Sequence, residues 1–221
     1  MGLALFLAVA SGASARQARA EARCPAVPAG VQPQVALIDG RTRLEWIDRR
    51  LSSAAPGSST WNWGWAIGIG AAGVGTLIAA PFVSPDSRVD YYTGAGAAAL
   101  GVLPFILAPP QVIGAAHDLH AKLLGKPPVT DDEVCDLLAD AENKLVSSAR
   151  NTQLMTGWYA HLGNLAFNTG IVLFEGLLFH RWKGGLINGV AGFAVGEAVI
   201  FTQPRQIIRD REAYDRGDLG P

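Results

Sequence analysis

At 221 residues the chain is long enough for one or two domains. Its hydrophobic content is 49% and its charged content 17%, against about 25% charged in soluble domains, which excludes a uniformly water-solvated chain. The net charge of -1 sets up no overall field that would favour nucleic acid or an anionic surface, and no nucleic-acid partner is expected.

Taken in order, residues 1–22 read as a signal peptide. Residues 2–10 are apolar but too short to cross a bilayer, and small residues follow at Ala13, Ser14 and Ala15, then at Ala18 and Ala20. The usual basic start is missing. Arg23 stands before Cys24, where a lipid-bearing cysteine would need a small residue.

Residues 23–60 form a polar N-terminal segment. It begins Pro-rich and continues as a helix over about 39–53, with Leu44, Ile47 and Leu51 on one face, and Pro56-Gly57 is expected to end that helix. Residues 61–83 then carry no charge, and Pro85-Asp86 marks a turn. Residues 91–113 are again uncharged, so 61–113 is a transmembrane hairpin. Tyr91 and Tyr92 sit where an interfacial aromatic belt would fall.

Residues 114–156 are a polar linker. Thr130-Asp131-Asp132-Glu133 has the form of a capping box, and the helix it opens carries Val134, Leu137, Leu138, Ala141, Leu145 and Val146 as its apolar stripe. Residues 157–204 repeat the hairpin, with a basic turn at Arg181 and Lys183. Residues 205–221 are a polar tail in which Arg205, Arg209, Arg211 and Arg216 alternate with acids, expected as a solvated helix.

The two hairpins read as one object written twice. Sliding 63–113 onto 158–208 by 95 positions matches ten of 51 residues, among them Trp63 with Trp158, Pro109 with Pro204, Gln111 with Gln206 and Ile113 with Ile208. The expected fold is all-α: a four-transmembrane-helix bundle of two tandem helical-hairpin repeats, each preceded by an amphipathic helix.

Glycine disfavours a helix in water by about 1 kcal/mol relative to alanine, so its abundance in these runs needs a reason. Gly64, Gly68, Ala71 and Gly75 step by four, three and four, as do Gly185, Gly189, Gly192 and Gly196, and Gly94, Ala97 and Gly101 continue the pattern. Each set lies within a stripe about 60° wide, the arrangement that lets helices approach closely in lipid. These glycines are expected to pack helices, with the bilayer and either a second copy or another membrane protein as partners.

Chemistry is expected, if anywhere, where the copies differ. Ala66, Ile69, Gly73, Ala80 and Val102 of the first copy are replaced by His161, Asn164, Asn168, Glu175 and Glu197 of the second. Ionisable groups inside a membrane are costly and tend to face the bundle interior. A buried polar cluster of His161, Asn164, Asn168 and Glu197 is expected, with Glu175 nearer the basic turn and paired with Arg181. It serves either as structural glue or as a ligand or proton site.

His117, Asp118 and His120 lack a convergent further ligand, and no phosphate loop, zinc-protease motif or nucleophile elbow occurs. No metal or cofactor is expected. The first functional expectation is a non-catalytic envelope or assembly component. A small transporter or ligand-binding protein is the second, and an intramembrane enzyme using His161 and the glutamates is the third.

The expected location is a bacterial-type inner membrane. A cleaved signal puts the termini and the 114–156 segment on the extracytoplasmic side, where Cys24 and Cys135 could pair. Of 18 Lys and Arg, however, 15 lie on the terminal side, and the positive-inside rule argues the reverse.

Overall fold

The computed structural model describes residues 22–220. The signal-peptide expectation therefore lies, Ala22 apart, outside the described residues. Within them there is no strand. Seven α-helices follow in order: α1 (Gly40–Ala79), α2 (Arg88–Leu107), α3 (Gln111–Gly125), α4 (Asp131–Thr156), α5 (Trp158–Phe179), α6 (Trp182–Thr202) and α7 (Gln206–Asp215). Four stretches, Gly40–Phe82, Pro85–Gly125, Trp158–Phe179 and Trp182–Asp215, are long and apolar enough to cross a membrane. Large apolar side chains stand exposed along them: Ile67, Leu77 and Ile78 on α1, Leu100 and Ile106 on α2, Leu165 and Leu177 on α5, and Ile187 and Val190 on α6. Water would penalise such a surface, and lipid would not.

The polar ends of three of these stretches, namely the start of α1, α3 and α7, gather with α4 at one end as a head. The N-terminal part of α1 contributes Leu44, Trp46, Ile47 and Leu51, α3 contributes Val112, Ala116 and Leu119, α4 contributes Val134, Leu138, Ala141 and Leu145, and α7 contributes Ile207 and Tyr214 to one buried core. α4 starts with a capping box: Glu133 N donates to Thr130 Oγ1 at 3.2 Å, and Thr130 N donates back to Glu133 Oε2 at 3.2 Å. Val129 N, Lys126 and Thr130 N all donate to the Glu133 carboxylate and hold its pKa down at about 2.

Two expectations about this region are corrected. Pro56-Gly57 does not end the first helix; α1 runs unbroken through Pro56 for 40 residues, or about 60 Å. A proline inside a helix costs about 3 kcal/mol. The buried face Ile47, Leu51, Ala54, Ser58, Asn62 and Ala66 offsets it, because it continues in one helical phase from the head into the span. The run 91–113 is likewise not one helix. α2 stops at Leu107 and Gln111 already begins α3 in the head, because Pro109 and Pro110 cannot continue the helix.

The tail also differs from a solvated helix. Tyr214 is 1% exposed and Arg43, on α1, is fully buried. Arg43 Nε donates to the Tyr214 hydroxyl at 2.9 Å and its Nη1 to the Cys24 carbonyl at 2.9 Å, while Nη2 pairs with the buried Glu142 of α4. The Tyr214 hydroxyl also donates to Glu142, and burial first, then Glu142, pushes its pKa above the usual phenol range. Cys24 and Cys135 form a disulfide across a sequence separation of 111. The bridge passes so close to Gly40 that a Cβ there would sit 2.6 Å from Cys24 Sγ.

Candidate functional site

α1 packs on α2 and α5 on α6, giving two hairpins, and they meet mainly through α2. Within the second hairpin, α6 turns its glycines toward α5. A Cβ on Gly185 would lie 2.9 Å from the Val172 carbonyl oxygen, and one on Gly189 would lie 3.0 Å from that of Asn168. Gly192 and Gly196 abut the side-chain oxygens of Asn168 and Asn164. This close approach carries a polar seam. His161 Nδ1 lies 2.7 Å from Glu197 Oε2, and Asn164 Nδ2 donates to Glu197 Oε1 at 2.9 Å and to the Phe193 carbonyl at 3.0 Å. Asn168 Nδ2 donates to Asn164 Oδ1 at 2.8 Å. His161, Asn164, Asn168 and Glu197 are thus joined to one another.

Glu175 lies apart from them, and the expected pairing with Arg181 is corrected. Arg181 reaches across to the other hairpin: its Nε and Nη2 donate to Asp90 Oδ1 and Oδ2 at 3.1 and 2.6 Å. A guanidinium matches both oxygens of one carboxylate, and Asp90 at the start of α2 presents them that way. Glu175 accepts instead from Asn188 Nδ2 at 2.6 Å, and the same nitrogen donates to the Asp90 carbonyl at 2.8 Å. Glu175 is fully buried and its Oε2 has no hydrogen-bond partner. Gly184 packs against the Asp90 carboxylate and Gly94 against Asn188 Oδ1, 3.3 Å from where a Cβ would be. Together these groups clasp the two hairpins at the turn end. Asp90 and Asn188 were not singled out from sequence, although an amide in an otherwise uncharged run was the available signal.

At the head end, Trp61 and Trp65 of α1 both donate from Nε1 to Thr202 Oγ1 of α6, at 3.2 and 3.0 Å. Asn62 Nδ2 donates to the Phe105 carbonyl at 3.1 Å, tying α1 to α2. In the first hairpin the glycine seam runs elsewhere than expected. A Cβ on Gly64, Gly68 or Gly75 would meet no atom within 4 Å, whereas one on Gly73 would lie 2.8 Å from Ala98 Cβ. Because α1 is continuous, the phase of its head face decides which side meets α2, and that side carries Asn62, Ala66 and Gly73. Gly101 faces Ile69 at 3.7 Å.

Pinned at both ends, the hairpins leave a cleft of about 460 Å³ between them. Its polar lining consists chiefly of amides: Asn62, Asn151, Asn164, Asn168, Asn188 and Gln203. Apart from Thr76, the rest is apolar, part of it small glycines and alanines and part of it large side chains such as Trp61, Phe105 and Phe167, and no charged residue or histidine contributes. Asn62 is 2% exposed and its Oδ1 has no partner.

Among the described residues no three His, Cys, Asp or Glu converge as metal ligands. Asp118 is taken by Lys122 and Lys144 at 3.0 and 2.9 Å; hydrogen bonds from Lys144 and then Lys122 hold its pKa below the usual carboxylate range. His120 lies 3.5 Å from Asp48. Compared with protein-family models, curated proteins and solved structures, the chain matches none.

Proposed function

We propose that this chain is a non-catalytic, multi-pass integral membrane protein of a bacterial-type inner membrane that acts through helix association in an envelope assembly. The observation that carries this reading is the unmet glycine stripe on α1. Among the described residues nothing lies within 4 Å of where a Cβ on Gly64, Gly68 or Gly75 would be, yet each costs helix stability relative to alanine. In lipid such a stripe suits close packing by another helix, from a second copy or another membrane protein. His161, Asn164, Asn168 and Glu197 are engaged with one another, which supports a gluing role for His161 and Glu197 over a catalytic one.

The duplicated architecture belongs to the same reading. α2 ends at Leu107 and α6 at Thr202, 95 positions apart, and α3 and α7 begin at Gln111 and Gln206, the same spacing. Each copy is then a polar helical segment, a hairpin and a return helix, the polar segment being continuous with the span in α1 and separated from it at Gly157 in the second copy, with the first copy preceded by a cleaved signal peptide.

Substituting Gly68→Leu with Gly75→Leu is expected to convert a complex into monomers while the hairpin stays folded. Native mass measurement in lipid nanodiscs reads this. A wild-type protein that is already monomeric and partnerless at cellular concentration would remove the proposal.

The disulfide supports a head on the extracytoplasmic side, since such bonds persist in oxidising compartments. Cysteines introduced by Ser84→Cys and Lys183→Cys at the turns should then react with an impermeant maleimide only after the cells are permeabilised. Labelling of intact cells would reverse the orientation.

A second reading, a ligand-binding membrane protein, is favoured by one observation: Asn164 and Asn168 line the cleft. His161 and Glu197 do not, being bonded to each other outside it.

A further inference from the structure

We propose that the cleft between the hairpins binds a single-chain neutral amphiphile, a lipid with one aliphatic chain and an uncharged hydroxyl-bearing head, whose hydroxyl donates to Asn62 Oδ1. The inference rests on the ligand-binding reading and names its ligand class.

The lining excludes the other classes. With no Asp, Glu, Lys, Arg or His in the wall, an ion entering the cleft would lose its hydration without a counter-charge. Water alone fits poorly along the wall formed by Ile69, Phe105, Phe167, Val195, Val199 and Ile200. The volume of about 460 Å³ lies within the range of about 300–1,000 Å³ for small-molecule sites, which suits one aliphatic chain with a small head.

The head is placed by Asn62. Its nitrogen is engaged by the Phe105 carbonyl and its oxygen is buried without a partner, so the missing group is a donor. Asn151 and Gln203 lie at the same end, next to the head domain, and can serve further hydroxyls. From there the chain runs past Gly101 and Ala97 toward Thr76, between the two hairpins.

The test uses the full chain in nanodiscs and three photoactivatable probes with the same diazirine-bearing tail: a monoacylglycerol, the free fatty acid at neutral pH, and a lysophosphatidylglycerol. Crosslinked peptides are identified by mass spectrometry. The monoacylglycerol should label peptides containing cleft residues at least ten-fold more than either charged probe. Ala191→Phe, which fills the cleft from α6, should reduce that labelling about ten-fold. Asn62→Leu should reduce it severalfold, and if that variant fails to fold, Ala191→Phe decides. Preferential cleft labelling by a charged probe would overturn the ligand class while leaving a binding cleft. Equal labelling by all three, unchanged by Ala191→Phe, would mean bulk lipid in the cleft and would overturn both the inference and the reading beneath it.

Discussion

Arg43→Met should destabilise the head by about 3–5 kcal/mol, the range for removing one partner of a buried ion pair. Arg43 lies on the polar helix that the sequence places over about 39–53, yet in the fold no part of it reaches solvent. Its guanidinium neutralises Glu142, which is 4% exposed, and donates to Tyr214 and to the carbonyls of Cys24 and Ala26. Four pieces of chain therefore converge on one side chain: the segment before α1, α1 itself, α4 and α7. Methionine keeps much of the volume but strands the Glu142 carboxylate. The double variant Arg43→Met with Glu142→Leu should recover most of the loss, because a well-packed apolar replacement of a buried pair is often neutral or stabilising. Thermal unfolding of the detergent-solubilised protein, followed through the near-ultraviolet signal of Trp46 and Tyr214, separates the two. If the single variant melts with wild type, Glu142 is not held as a buried charge.

Removing the disulfide, by reductant or by Cys24→Ser with Cys135→Ser, should cost about 4 kcal/mol. A closed loop of about 100 residues corresponds to about 4.7 kcal/mol of denatured-state entropy. The loop here spans 111 positions and contains the whole first hairpin. A hairpin held in lipid would keep its ends together even when the head unfolds, which would shorten the effective loop. The logarithmic dependence makes the reduction small. Melting of the head with and without reductant measures the difference. Indistinguishable curves would mean that the head core and the Arg43 network alone determine its stability.

Local pattern accounts for much of what was legible. A run of some 20 uncharged residues is a property of the sequence itself, and so are the Thr130–Glu133 cap and the helical spacing of His161, Asn164 and Asn168. Glu197 could be placed beside them because a tight hairpin has only one register near its turn. Where another element supplied the partner, spacing could not show it. Arg181 had a nearby acid in Glu175, but the fork-shaped match came from Asp90, 91 positions away. Tyr214 sat in a strongly charged tail, and only the meeting of α7 with α4 and α1 buried it.

By itself the sequence determined that the chain is helical, that it holds four spans' worth of apolar residues, and which residues of the second hairpin share a face. These follow from hydropathy and the 3.6-residue period, which act over a few turns. The tertiary structure alone decided that α1 passes through Pro56, which of its glycines meet α2, and that the hairpins stand apart around an amide-lined cleft. Each of those depends on how separately stable helices dock, and docking is set by long-range partners that no local period encodes.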